Sequence, residues 1–134
     1  MSRKSVYENN TPEYRFGKDN EWKFLTNMGG PREFPGAIAI PNGIWVSGGQ
    51  PGGNSTEFIF LNGSRSDGPK LPKPVQGHCL VQHDGIVFSI GGLGETTEYS
   101  TVSIFSAKEG MKHIADGPDL NKARYFLSCG IFNR

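Results

Sequence analysis

The residues most suggestive of chemistry are glycines. Gly91-Gly92-Leu93-Gly94 closes an apolar run, and such a cluster can cradle a phosphate with backbone amides. A phosphate loop also needs a Lys-Ser/Thr pair and a helix behind it. Glu95-Thr96-Thr97 follows instead, and then another strand-like run, so the expected role is close backbone approach within β architecture. His78, His83 and His113 are the only histidines. No local cluster supplies the three or four convergent ligands that a metal needs, so neither metal nor cofactor is expected. Cys79 and Cys129 form no CxxC pair, which argues against zinc-ribbon and thioredoxin-like chemistry. No Ser-His-Asp set and no carboxylate pair can be placed together, so catalysis is not expected. Asn54-Ser55-Thr56 and Asn62-Gly63-Ser64 fit the glycosylation sequon, both in expected loops.

Glycine and proline also say what must position these groups. The 134 residues hold 19 Gly and 9 Pro without a Gly-X-Y period, which implies many turns and many short strands. The length suits one ordinary domain. A net charge of +1 gives no electrostatic footprint for nucleic acid or an anionic membrane. The amino terminus, MSRKSVYENN, lacks the apolar core of a signal peptide. No apolar run approaches the ~18 residues of a transmembrane helix. No segment shows apolar periodicity of 3.6 over 10–12 residues, so essentially no helix is expected.

Residues 36–49 (GAIAIPNGIWVSGG) and 77–92 (GHCLVQHDGIVFSIGG) share one design. Each is an apolar run, an Asn-Gly or Asp-Gly dipeptide, a second apolar run and a Gly-Gly pair. The dipeptides predict tight type I′ hairpin turns, and the flanking Ile, Val and aromatics suit strands. Gly43 and Gly85 lie 42 residues apart, and the Gly-Gly pairs 43 apart. GPKLPK (68–73) recurs as GPDLNK (117–122) at an offset of 49, which aligns Met28, Leu71 and Leu120. Six residues before each stand Trp22, Arg65 and Ile114, and upstream of those EYRF (13–16), EFIFL (57–61) and VSIF (102–105). A period of roughly 40–50 residues marks a solenoid, propeller or array. The unit is four strands: strand a ends at the turn, b ends at Gly-Gly, c follows a polar loop, and d leads to Gly-Pro-x-Leu.

These features resemble the kelch-repeat β-propeller family. The resemblance rests on the Gly-Gly ends, the aromatic in strand c and the Trp22–Met28 spacing, and it covers about residues 13–132. It departs from the family at strand d, where only Trp22 keeps the Trp. Gly77-His78 matches the Gly-His pair of WD-repeat propellers, but no Trp-Asp dipeptide occurs. The resemblance implies an all-β fold. A polar segment (1–12) precedes a partial blade (13–28). Full blades follow at about 34–70 and 75–118, and the first strand of a further blade at 125–132. Roughly three blades form an incomplete arc, whereas closed propellers have about 4–8. The chain is therefore expected to be part of a longer protein, or to complete itself by self-association. Cys79 and Cys129 then occupy strand a of successive blades. Neighbouring inner strands leave a disulfide open, and buried free thiols are the expected state.

The resemblance implies a protein-interaction module, not an enzyme. The partner is a protein or peptide held by b–c loops and d–a segments on one propeller face. The residues expected at the loop tips are Arg32, Gln50, Asn54, Lys73, Gln76, Glu95 and Tyr99. Arg32 or Lys73 would pair with an acidic side chain. Two other readings stand beside this: part of a metal-dependent kelch-type oxidase or isomerase, or a purely structural part of a larger propeller. Secreted and cytosolic residence both remain open.

Overall fold

The computed structural model describes residues 13–15, 22–51 and 53–132; the polar segment 1–12 lies outside the described residues. It is all-β. β1 (Glu13–Arg15) and β2 (Trp22–Phe24) form an antiparallel pair. β3 (Gly36–Ile40), β4 (Gly43–Ser47), β5 (Thr56–Phe60) and β6 (Arg65–Asp67) form one four-stranded antiparallel meander. β7 (Cys79–His83), β8 (Ile86–Ile90), β9 (Val102–Ser106) and β10 (Lys112–Asp116) form a second. A single 3-10 turn, Ala107–Glu109, is the one helical element among the described residues.

The two hairpins superimpose with a constant offset of 43, which moves the equivalence of their turns by one residue from the sequence expectation. Ile40 pairs with Gly43, so the first turn is Pro41-Asn42, and Asn42 has φ 61°. Proline holds φ near −65°, so this turn follows the type II pattern and not type I′. The second turn is Asp84-Gly85, with φ 49° and 77°, as type I′ requires. Strand d departs too. β10 shifts register between His113 and Ala115, so Ile114 is the unpaired residue of a bulge and Arg65 corresponds to His113.

Both faces of β4 and β5 carry buried side chains, as alternation along a strand allows. On one face Trp45 packs with Leu71, Val75, Val87, Phe105 and Met111, joining the two meanders. The Trp45 and Phe105 rings lie 5.5 Å apart and tilted. On the other face Val46 and Ile59 pack with Met28. The Gly-Gly pairs make the join tight. Gly48, Gly49, Gly91 and Gly92 all have positive φ, between 64° and 109°. Gly49 donates to the carbonyl of Val75 and Gly92 to that of Arg124, each at 2.8 Å. A side chain at Gly48 would strike the Val75 carbonyl, and one at Gly92 the Val75 side chain.

Two expectations change. Residues 125–132 form no regular strand, and their backbone has no ladder partner among the described residues. Cys79 and Cys129 are not free thiols. They form a disulfide with Cα atoms 6.1 Å apart. Cys79 opens β7 on the face opposite Leu80, and the disulfide ties Cys129 to that face. In the chain-entropy account a bond spanning 50 residues contributes about 4 kcal/mol.

His78 sits buried where the meanders meet, and its Nε2 lies 2.8 Å from Ser47 Oγ. Burial lowers its pKa from 6.5 to about 4. The unfolded chain therefore takes up a proton that the folded chain refuses. Stability should be flat above pH 6.5 on this account and fall as pH drops toward 4, by about 3 kcal/mol at most. Urea titrations at stepped pH check this, and His78→Gln should flatten the stretch between pH 6.5 and 5. A wild-type profile already flat there would remove His78 as the cause.

Candidate partner-binding face

Ser47, the last residue of β4, pairs with Gly36, the first of β3, so the loop leaving strand b starts beside the segment entering strand a. Isolated bridges extend this pairing. Glu33 pairs with Gln50, and Gln76 with Leu93. The b–c loops (48–55 and 91–101) and the d–a segments (29–35 and 71–77) therefore share one end of the meanders. The turns at 41–42, 61–64, 84–85 and 107–111 occupy the other.

At the loop-bearing end four of the seven expected residues, Asn54, Lys73, Gln76 and Tyr99, lie on or against segment 71–77, and Gln50 and Glu95 stand on the flanking loops. Tyr99 donates its hydroxyl to the Pro74 carbonyl at 3.0 Å, and Lys73 Nζ lies 3.8 Å from the Tyr99 ring centroid. Gln76 is held by its bridge to Leu93, beside the tight turn in which Gly94 donates to Thr97 and exposes Glu95. Asn54 accepts from the Leu71 amide at 2.7 Å. Gln50 is locked by its bridge to Glu33, and its bond to Pro51 is cis. Gln50, Asn54, Lys73, Gln76 and Tyr99 are half-buried.

Arg32 is different. Expected at a solvated tip, it is 6% exposed. Its Nε donates to Glu57 at 3.2 Å, and its Nη1 to the carbonyls of Gly48 at 2.7 Å and Ser55 at 3.1 Å. Glu57 is 1% exposed and also accepts from the Gly29 amide and from Arg65 Nε, both at 2.7 Å. Burial pushes the Glu57 pKa up, but the Gly29 amide and the two arginines outweigh it and hold the carboxyl below its ordinary value. Its hydrogen bond to Glu57 raises the Arg65 pKa. Arg65 also reaches Asp67 at 2.6 Å.

These charges floor a cleft of about 490 Å³, lined among others by Gly29, Arg32, Ser55, Glu57, Arg65 and Lys70. Sequence reasoning missed Glu57 and Arg65. The available signal was a carboxylate opening the apolar run EFIFL, a charge that must find a partner if its strand is buried.

Ser47 and His78 have the spacing of a nucleophile and its base, but both are buried and His78 Nδ1 has no hydrogen-bond partner. No acid orients the ring, and the pair serves to join two blades. Among the described residues no three His, Cys, Asp or Glu side chains converge as metal ligands. None of the helices among the described residues is long and apolar enough to cross a membrane.

No family model matches the chain. It is 30% identical over 84 residues to Kelch-like protein 40a of Danio rerio, across 58% of this chain and 14% of that protein. The solved structure of YjhT, a β-propeller, superimposes with a TM-score of 0.69 at 11% identity, across 78% of this chain and 33% of that one. The chain thus spans about a third of that structure and a seventh of the curated relative.

The Glu57 cluster should behave as a structural joint. Glu57→Ala strands the buried Arg32 charge and should cost about 3–5 kcal/mol in urea unfolding, whereas Lys73→Ala, which removes a half-buried cation from the face of Tyr99, should cost less than about 1 kcal/mol. Equal costs for the two variants would contradict this assignment.

Proposed function

We infer that this arc of kelch-type β-propeller blades is a protein-interaction module that holds a protein or peptide on its loop-bearing end. The observation that carries the inference is the lacing of two b–c loops to one d–a segment. Tyr99 reaches Pro74, Lys73 covers Tyr99, and the Leu71 amide meets Asn54. Loops so tied present a fixed surface, and a fixed surface loses less entropy on binding than a mobile one. The half-buried polar groups Gln50, Asn54, Lys73 and Gln76, with exposed Glu95, offer donors and acceptors of both kinds. Beside them the cleft adds Arg65 and Lys70, two cations against the Asp67 carboxylate at its rim. This set suits a peptide carrying an acidic side chain. The Arg32 role proposed from sequence passes to Lys70, because the donors of Arg32 serve Glu57 and two carbonyls and those of Arg65 serve Glu57 and Asp67.

Peptides selected against the immobilised chain from a displayed library should perturb the amide resonances of Gln50, Asn54, Lys73, Val75, Gln76 and residues 93–99. Lys73→Glu and Lys70→Glu should each weaken a selected acidic peptide about fivefold or more. Perturbations confined to the turns at 41–42, 61–64 and 84–85 would refute the assignment of the face.

A further inference from the structure

Phe34, Gly77 and Phe126 are successive repeats of one position. Gly77 donates to the Phe34 carbonyl at 2.9 Å, and Phe126 donates to the Gly77 carbonyl at 2.8 Å. All three have positive φ: 54°, 61° and 52°. Phenylalanine rarely adopts that conformation, and it persists only where the surroundings impose it. The Phe34 and Phe126 rings meet with centroids 4.7 Å apart, and Tyr125 abuts Phe126 edge-on at 4.9 Å. A Cβ at Gly77 would meet the Phe126 ring, so this corner closes over a bare backbone. Phe34 is 47% exposed, Tyr125 39% and Phe126 57%. The corner stands on the loop-bearing end, just ahead of strand a.

Two of its three rings come from the segment that forms no strand. Arg124 and Phe126 make that segment's backbone bonds to Tyr99, Gly92 and Gly77. Beyond Phe126 no backbone hydrogen bond is formed among the described residues. What ties the segment there is the Cys79–Cys129 bond, with Leu127 lying against Gly91. Both cysteines are half-buried, within reach of a small thiol, and Gly130 and Ser128 beside Cys129 are exposed.

We propose that the Cys79–Cys129 disulfide is a redox latch that seats residues 124–129 and so assembles the Phe34–Tyr125–Phe126 corner on the partner-facing end. A dithiol reductant opens it by exchange. The dithiol is oxidised to its own disulfide, and two electrons and two protons pass to the cysteine sulfurs, leaving two thiols. The segment then leaves its edge, Phe126 withdraws from Gly77 and Phe34, and the corner comes apart while both meanders persist. The importance of this for binding rests on the proposed function above. The latch itself is tested without any partner, so the two readings fail separately.

The 134-residue chain should resist iodoacetamide under oxidising conditions, and the Gly77 Hα should be displaced from its random-coil position by the neighbouring Phe126 ring. After complete reduction by dithiothreitol, both cysteines should alkylate and the Gly77 shift should move toward its random-coil position. Amide exchange at Phe126 and Gly92 should then quicken about tenfold or more beyond any quickening in the β4–β5 ladder, which stays paired. Cys129→Ser in oxidising buffer should reproduce the reduced behaviour. An unchanged Gly77 shift after full reduction would overturn the proposal, because the segment would then be seated without the bond. Loss of β4–β5 protection in step with Phe126 would overturn it as well, because the bond would then hold the whole fold.

Discussion

The arrangement depends on how closely two main chains approach at the end of strand b. Gly49 reaches the Val75 carbonyl and Gly92 the Arg124 carbonyl at the same 2.8 Å. The left-handed backbone that aims these amides disfavours any side chain, and the space beyond is filled by the neighbouring d–a segment. This contact fixes the spacing between successive sheets. Only at that spacing do Trp45 and Phe105 meet across the join, and only there does the Ser47 hydroxyl find His78. The glycine pair that first suggested a phosphate loop therefore donates its amides to the protein itself.

The two joins are closed by different chemistry. Between the two full meanders the filling is apolar, with a neutral histidine as its main polar element. On the other side of the first meander, Glu57 is compensated by an amide and two guanidinium groups. Such a cluster contributes less net stability than its short distances suggest, since desolvation offsets much of the attraction. Its effect is directional, because the carboxylate accepts from groups in only one arrangement. The position equivalent to Glu57 in the second meander is Ser103, by pairing with Val46 and Ser89. The charge cluster is thus local to one join and not part of the repeat.

Much of the fold was legible because it is written in short-range signals. Strand order, the Gly-Gly corners and the near absence of helix follow from alternation, turn residues and recurrence. The turn at 41–42 was misjudged because proline overrides the Asn-Gly signal beside it, and the Ile114 column because a bulge adds a residue that sequence spacing counts as regular. The site was less legible. Four expected residues lie on or against one segment because loop topology follows from strand order. Arg32 does not stand free, because its burial depends on Glu57, a residue 25 positions away. The disulfide stayed undecided for the same reason. Spacing along the chain gives no Cα–Cα distance when one cysteine lies outside a ladder.

The two ends of the meanders are built unlike one another, and that difference gives the loop-bearing end its character. The opposite end is made of short turns, closed by the backbone within two to five residues. At the loop-bearing end the chain crosses between sheets, so every loop is anchored to a neighbour: Glu33 to Gln50, Gln76 to Leu93, Leu120 to Ser100. Anchoring allows polar and aromatic groups to be held partly open without collapse. Phe34 and Phe126 show this most directly, since each keeps a disfavoured backbone and a largely exposed ring. Neither burial nor local preference accounts for that combination. It follows from the hydrogen bonds that run from repeat to repeat through Gly77, so the rings are displayed by the same contacts that set the spacing of the sheets.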